Sequence, residues 1–172
     1  MSDWHIRLAR EEDAEFLPAI ELAAGQLFRT IEGLDGVAGM HAIPADHQRR
    51  YIRKGHCLVA EVEGERIGFL STEPCGRELS IREFSVHPDW QGQGVGSVML
   101  RACGIDARNA GFSAITLTTF VDVPWNAPFY SRHGFVRIED PDAHPRLRDE
   151  IETEVAHGLP RERRCAMIRF LD

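Results

Sequence analysis

The sequence predicts a mixed α/β domain built around one central sheet. Three observations predict it. Residues 56 to 86 are rich in β-branched and aromatic side chains, and tight-turn signals break them into consecutive strands. Segments of helical periodicity lie on both sides of that stretch and alternate with further strand-like runs. The 172 residues contain no repeat, low-complexity tract or linker that would divide them, and this length fits one domain.

Trp4 to Ala9 alternates apolar and polar side chains and reads as a first strand. Glu11 to Leu27 follows as a helix, with Asp13 or the preceding turn as cap. Phe16, Ile20, Ala23, Ala24 and Leu27 are placed on one face. Glu32 to Met40 holds Gly33, Gly36 and Gly39 and reads as a loop. A polar helix runs from Pro44 to about Arg53, stopped by Gly55. His56–Glu63 and Arg66–Thr72 flank Gly64-Glu65, a hairpin signal, and Leu79–Val86 adds a third antiparallel strand that ends at His87-Pro88. Gly94 to Ala110 is helical, with Gly111 as its C-cap. Ala114–Phe120 is a strand, Trp125–Arg132 a short helix closed by Gly134, and Phe135–Ile138 a strand start. Glu139 to Arg164 is highly charged, carries Pro141, Pro145 and Pro160, and holds a polar helix over Leu147–Val155. Cys165–Leu171 is the final strand.

Twenty basic and 27 acidic residues give a formal charge of −7, which argues against a nucleic-acid partner because phosphate contacts need a basic face. The polar, charged start does not resemble a signal peptide, and no apolar run approaches the ~20 residues that span a bilayer. The expected location is the cytoplasm, away from membranes. Cys57, Cys75, Cys103 and Cys165 are widely spaced, without zinc-finger or Cys-x-x-Cys spacing. Reduced, buried or half-buried thiols and no metal are expected.

The chemistry-bearing segment begins where the strand Leu79–Val86 empties through His87-Pro-Asp-Trp90 into Gln91-Gly-Gln-Gly-Val-Gly96 and a helix. The first N–H groups of a helix lack intrahelical partners, and the helix dipole adds partial positive charge there. Glycines remove the β-carbons that would keep a pyrophosphate away, so an anion can bind without net basic charge. A phosphate-binding P-loop requires Gly-Lys-Ser/Thr at its end, but Ser97-Val98 follows Gly96. The dinucleotide fingerprint requires glycine where Ser97 stands.

Gln91-x-x-Gly94-x-Gly96 after Val86-His87-Pro88 resembles the acetyl-coenzyme A signature of the GNAT superfamily of N-acetyltransferases. Asn126-Ala-Pro-Phe-Tyr130-Ser-Arg-His-Gly134-Phe135 resembles that family's second signature. The resemblance covers at least Leu79 to Val136, and the whole chain more loosely through element order. It implies a mostly antiparallel sheet of six to seven strands, splayed between the fourth and fifth and flanked by helices. It also implies one N-acetyltransferase domain over residues 1–172 that moves acetyl from acetyl-coenzyme A to a primary amine.

By position, the resemblance gives the pyrophosphate to the backbones of Gln91, Gly92, Gln93, Gly94, Val95 and Gly96, with Ser97. Gln91 stands where arginine is equally common. Phe84, Ser85 and Val86 would pair with the pantetheine arm as an added strand. Asn126 would bond the cofactor from the far side, with Phe129 beside it. Tyr130 stands at the general-acid position, and the Val86 amide is the natural oxyanion donor. Glu83 is either the general base or a solvated strand residue paired with Arg82 or Arg77. His87 is either a substitute base or a turn residue.

The resemblance places Phe28 and the Gly33–Met40 segment on the acceptor side, with Trp125 and the insert Glu139–Arg164 closing over it. A small-molecule amine is expected, with a peptide N-terminus or lysine as the variant. A non-catalytic acyl-coenzyme A sensor is the alternative from another class. The antiparallel edge near the C-terminal strand offers a route to a homodimer.

Overall fold

The structure is a computed structural model that describes residues 3–172. Seven strands form one sheet in the order β1-β2-β3-β4-β5-β7-β6. They are β1 (His5–Leu8), β2 (Leu58–Val62), β3 (Glu65–Cys75), β4 (Glu78–Val86), β5 (Ala114–Phe120), β6 (Val136–Arg137) and β7 (Arg164–Phe170). Only β4 and β5 pair in parallel. The helices are α1 (Leu17–Gly25), α2 (Asp35–Ala38), α3 (Ala45–Arg53), α4 (Val95–Asn109), α5 (Ala127–Arg132) and α6 (Pro145–Ala156).

Helices cover both faces of the sheet, so its inner strands are apolar on both sides. Leu58, Ala60 and Val62 of β2 face the larger core with Met99, Leu100, Cys103 and Ala107 of α4. Cys57, Val59 and Phe69 face the other core with Leu17 and Ile20 of α1 and Tyr51 and Ile52 of α3. Cys57, Cys103 and Cys165 are buried, Cys75 is half-buried, and all four are free thiols.

Several expected elements shift for identifiable reasons. The helix expected over Glu11–Leu27 is a 3-10 turn (Glu11–Phe16), α1 and a second 3-10 turn (Gln26–Thr30). Pro18 has no N–H to donate to Ala14, so an α-helix cannot run through from Glu11. That rotation exposes Phe16, which lies beneath the Arg66 guanidinium at 4.2 Å, and buries Leu17 in its place. Asp13 does more than cap. It is fully buried and accepts bonds from Arg7, Arg66 and the Arg10 N–H, joining the first turn to β1 and β3. The hairpin turn is Glu63-Gly64, not Gly64-Glu65: Val62 pairs with Glu65, and both turn residues have positive φ, as a type I′ turn requires. The expected loop at 32–40 contains α2, and β6 is only two residues long. β6 also forms the sheet edge, so the C-terminal strand β7 is interior, flanked by β5 and β6.

Two features of β4 position the site. Ser71 pairs with Glu83 but Thr72 pairs with Ile81, so Arg82 is a bulged residue. The β4–β5 ladder holds only from Glu78↔Ala114 to Ser80↔Thr116, although β4 continues to Val86 and β5 to Phe120. Beyond Ser80 the strands part, as the splay between the fourth and fifth strands required. α6 is clamped at the fork. Arg146 pairs with Glu78 and Glu150 at 2.8 Å and donates to Thr116 at 2.9 Å, His144 meets Glu78 at 2.8 Å, and Arg82 meets Glu150 at 2.9 Å. The charged insert is therefore a folded helix wedged at the opening of the sheet.

Candidate active site

The fork opens into a cleft of about 950 Å³. One end is built mainly from backbone. His87 donates its N–H to Ile67 of β3 at 2.8 Å, and ladder bonds alternate along a strand. The backbone groups of Val86 and Phe84 therefore turn away from β3, toward the fork. Gln91 Nε2 donates to Val86 O at 2.9 Å, and the Phe84 N–H donates to Glu83 Oε1 at 3.1 Å, both on that open side. The Val86 N–H points the same way.

The chain then turns through Pro88–Trp90 into the glycine loop. Gly92 and Gly94 have φ of +77° and +84°, a left-handed geometry that penalises other residues, and open space surrounds the position of each missing β-carbon. Gly94 is the N-cap of the 15-residue α4, no side chain caps it, and the first turn holds no acidic residue. The unpaired N–H groups there form an anion cradle on backbone alone. Phe84 and Phe129 lie 6.2 Å apart, with Gly96 between their ring edges. Ser97 Oγ lies 3.2 Å from His133 Nε2. Burial and the nearby Arg132 and Arg101 charges push the His133 pKa down, favouring the neutral ring. Asn126 Oδ1 is buried without a hydrogen-bond partner. A buried, unsatisfied acceptor facing a cleft fits a ligand that brings its own N–H.

The residues predicted from sequence converge here. Phe84, Ser85, Val86, Gln91, Gly92, Gly94, Val95, Gly96, Ser97, Asn126, Phe129, Tyr130 and Glu83 all line the cleft. Gln93 does not. It is exposed, with its side chain turned back to Asp89 O. His87 also stands outside, its Nδ1 accepting the Asp89 N–H as a turn residue. An anion cradle, an open strand edge and an orphan amide thus lie along one continuous wall.

The other end is built from side chains. Tyr130 on α5 packs against Phe129 and Phe135, and burial, then the Glu83 charge, raise its pKa further above 10. Glu83 pairs with neither Arg82 nor Arg77. Its Oε1 accepts from the Phe84 N–H and from Ser85 Oγ, both at 3.1 Å, and burial pushes its pKa up. Glu21 on α1 faces it across the cleft. Its Oε1 accepts the Ile43 N–H at 3.1 Å, and burial, then the Glu83 charge, push its pKa up to about 8. Phe28, Val37, Met40, Phe120, Trp125 and Leu159 form apolar walls, several of them packed around buried Leu34 and Val123.

Glu21 carries no motif in the sequence. Its one signal is a lone carboxylate inside the apolar run Leu17–Ala24. The Thr118–Glu154–Arg164 group on the opposite wall was equally silent. It joins α6 to β5 and β7, with Glu154 held by Arg164 at 2.5 Å and by Thr118 at 2.6 Å.

Comparisons with known proteins agree with this geometry. The acetyltransferase (GNAT) domain family matches residues 53–137. An uncharacterized N-acetyltransferase of Pyropia yezoensis is 35% identical over 83 residues, 48% of this chain and 45% of that protein. The chain therefore spans less than half the length of that curated relative. The PaiA N-acetyltransferase of Thermoplasma acidophilum, solved with coenzyme A, superposes with a TM-score of 0.70 at 14% identity, covering 98% of this chain and 99% of that one. N-acetylglutamate synthase of Neisseria gonorrhoeae, solved with coenzyme A and N-acetyl-glutamate, gives 0.71 at 18% identity, covering all of this chain and 36% of that one. The glycine cradle and the forked β4–β5 pair both lie within residues 53–137, the segment that belongs to the acetyltransferase (GNAT) domain family.

Proposed function

We propose that the chain transfers acetyl from acetyl-coenzyme A to the primary amine of a small molecule. The observation that carries this reading is the single cleft that joins the α4 anion cradle to Tyr130 and the Glu21–Glu83 pair. Acetyl-coenzyme A, when bound, supplies an activated acetyl group as a thioester. The α4 N-terminus and the loop amides hold its phosphates, and the Asn126 carboxamide and the outward groups of Phe84 and Val86 align its arm.

The Val86 N–H stands ready to donate to the carbonyl oxygen as charge builds there. An incoming ammonium must lose one proton before its nitrogen can attack, and the Glu21–Glu83 pair is placed to take it. The new C–N bond forms as the C–S bond breaks. Tyr130, protonated at neutral pH, delivers a proton to the departing sulfur, and the phenolate regains one from the product nitrogen. The net release is one proton per ammonium consumed. Wedged α6 and the short acceptor end favour a small amine over a peptide, which needs an open groove.

The test is coenzyme A release across a panel of amines, amino acids and short peptides, with acetyl-coenzyme A affinity measured by calorimetry. Release with at least one small amine is expected. Tight cofactor binding with no release on a broad panel would instead make the protein a sensor.

A further inference from the structure

The acceptor end carries an unequal charge balance. Four carboxyl groups line it, Glu21, Glu83, Glu150 and Glu154, against two guanidinium groups, Arg82 and Arg164. Both arginines are already engaged. Arg82 is held by Glu73 at 3.0 Å and Glu150 at 2.9 Å, so its two terminal nitrogens are already committed to carboxylates. Arg164 is paired with Glu154, donates to Thr118 and lies 4.5 Å from the centre of the Phe120 ring. Arg132 belongs to the phosphate end, beside Phe129. His41 sits at the exposed rim. Among the described residues Glu21 and Glu83 form no ion pair, although the Arg164 charge reaches Glu83, and neither guanidinium at this end stands free of an ion pair.

We propose that the acceptor is a primary amine on a body that carries no carboxylate, and that Glu21 sets this preference. The inference rests on the acetyl-transfer reading above and narrows its substrate class. An ammonium between Glu21 and Glu83 relieves the repulsion of two facing carboxyl groups. The apolar walls of Leu22, Phe28, Val37, Met40 and Trp125 receive the rest of the molecule. An amino acid brings its own carboxylate next to the ammonium, where it meets the Glu21 and Glu83 carboxylates that the ammonium itself favours, with both nearby arginines already paired. Like-charge juxtaposition in a desolvated site is the strongest discriminator available to such a pocket. The elevated pKa of Glu21 is what an unpaired carboxyl in this place should show, and binding of an ammonium should return it toward the ordinary carboxylate range.

The test uses matched pairs that differ only by the α-carboxylate: agmatine and arginine, putrescine and ornithine, phenethylamine and phenylalanine. Coenzyme A release is measured for the wild type, Glu21→Gln and Glu21→Asp. In every pair that turns over, the carboxylate-free member should have a kcat/KM at least about tenfold higher. Glu21→Gln should narrow that ratio to roughly threefold, raising KM for the amine as well as lowering kcat through the altered proton acceptor, and Glu21→Asp should restore part of it. Acetyl-coenzyme A affinity should be the same in all three proteins. Equal use of both members, or a ratio that Glu21→Gln leaves intact, overturns the inference while acetyl transfer stands. No release from any member, with cofactor binding intact, overturns the acetyl-transfer reading together with the inference.

Discussion

The two ends of the cleft are made differently. At the phosphate end, Gly92, Gly94 and the first turn of α4 present backbone N–H groups from one continuous segment. At the acceptor end, Glu21 of α1, Glu83 of β4, Tyr130 of α5 and Arg164 of β7 meet as side chains from four separate elements. The first end depends on local conformation, and the second depends on how the helices pack against the fork. The first should be vulnerable to single changes in backbone geometry. The second should respond to charge and shape while leaving cofactor binding alone.

The largest effect is expected at the cradle. Gly94→Glu places a carboxylate at the proposed anion cradle, at a φ of +84° that a side chain resists. Acetyl-coenzyme A affinity should fall about 100-fold or more, as like-charge contact costs several kcal/mol. Calorimetric titration reads this directly, and an unchanged Kd would dissolve the distinction between the two ends. Next, Tyr130→Phe should lower kcat by about 100-fold, within the usual range for a lost general acid, with cofactor affinity unchanged. Full turnover in that variant would move Tyr130 from chemistry to packing.

Asn126→Ala sharpens the boundary between the ends, because the orphan Oδ1 lies between them. It should weaken acetyl-coenzyme A by about tenfold, the value of one buried hydrogen bond of roughly 1.4 kcal/mol. A change in amine KM with no change in cofactor Kd would place Asn126 at the acceptor end instead.

The smallest effect concerns stability. Glu21 holds its proton up to about pH 8 in the folded chain, above the ordinary carboxylate range of the unfolded one. The stability it contributes is complete below that ordinary range and is lost as pH rises through about 8. Thermal melts should therefore show the wild type losing several °C more than Glu21→Gln between roughly pH 5 and pH 8.5. Asp13 runs the other way. Arg7 and Arg66, with the Arg10 N–H, hold its pKa down to about 2 despite burial, so its contribution is present above the ordinary range and lost as pH falls through about 2.

What was readable in advance follows the same division. The strand from Glu78 to Val86, the glycine loop, α4 with Gly111 beyond its end, and β5 from Ala114 to Phe120 were all legible, because each is written in consecutive residues. The α1 region departs from its expected single helix where Pro18 interrupts the pattern, and α6 is legible as a polar helix over Leu147–Val155 but not in its place at the fork. Its position is set by buried Leu147 together with ion pairs to β4, which join residues far apart in the chain. Glu21 is not legible in the sequence, because one acid among apolar neighbours has no spacing to announce it.

The glycine loop before α4 is thus a property of the sequence itself. A glycine pattern before a helix specifies left-handed turns and unpaired N–H groups wherever the segment lies. The bulge at Arg82, the parting of β4 from β5 after Ser80, and the meeting of Glu21 with Glu83 belong to the tertiary structure alone. They arise from contacts between residues far apart in the chain. The burial and repulsion that shift the two carboxyl groups come into being only when those contacts form.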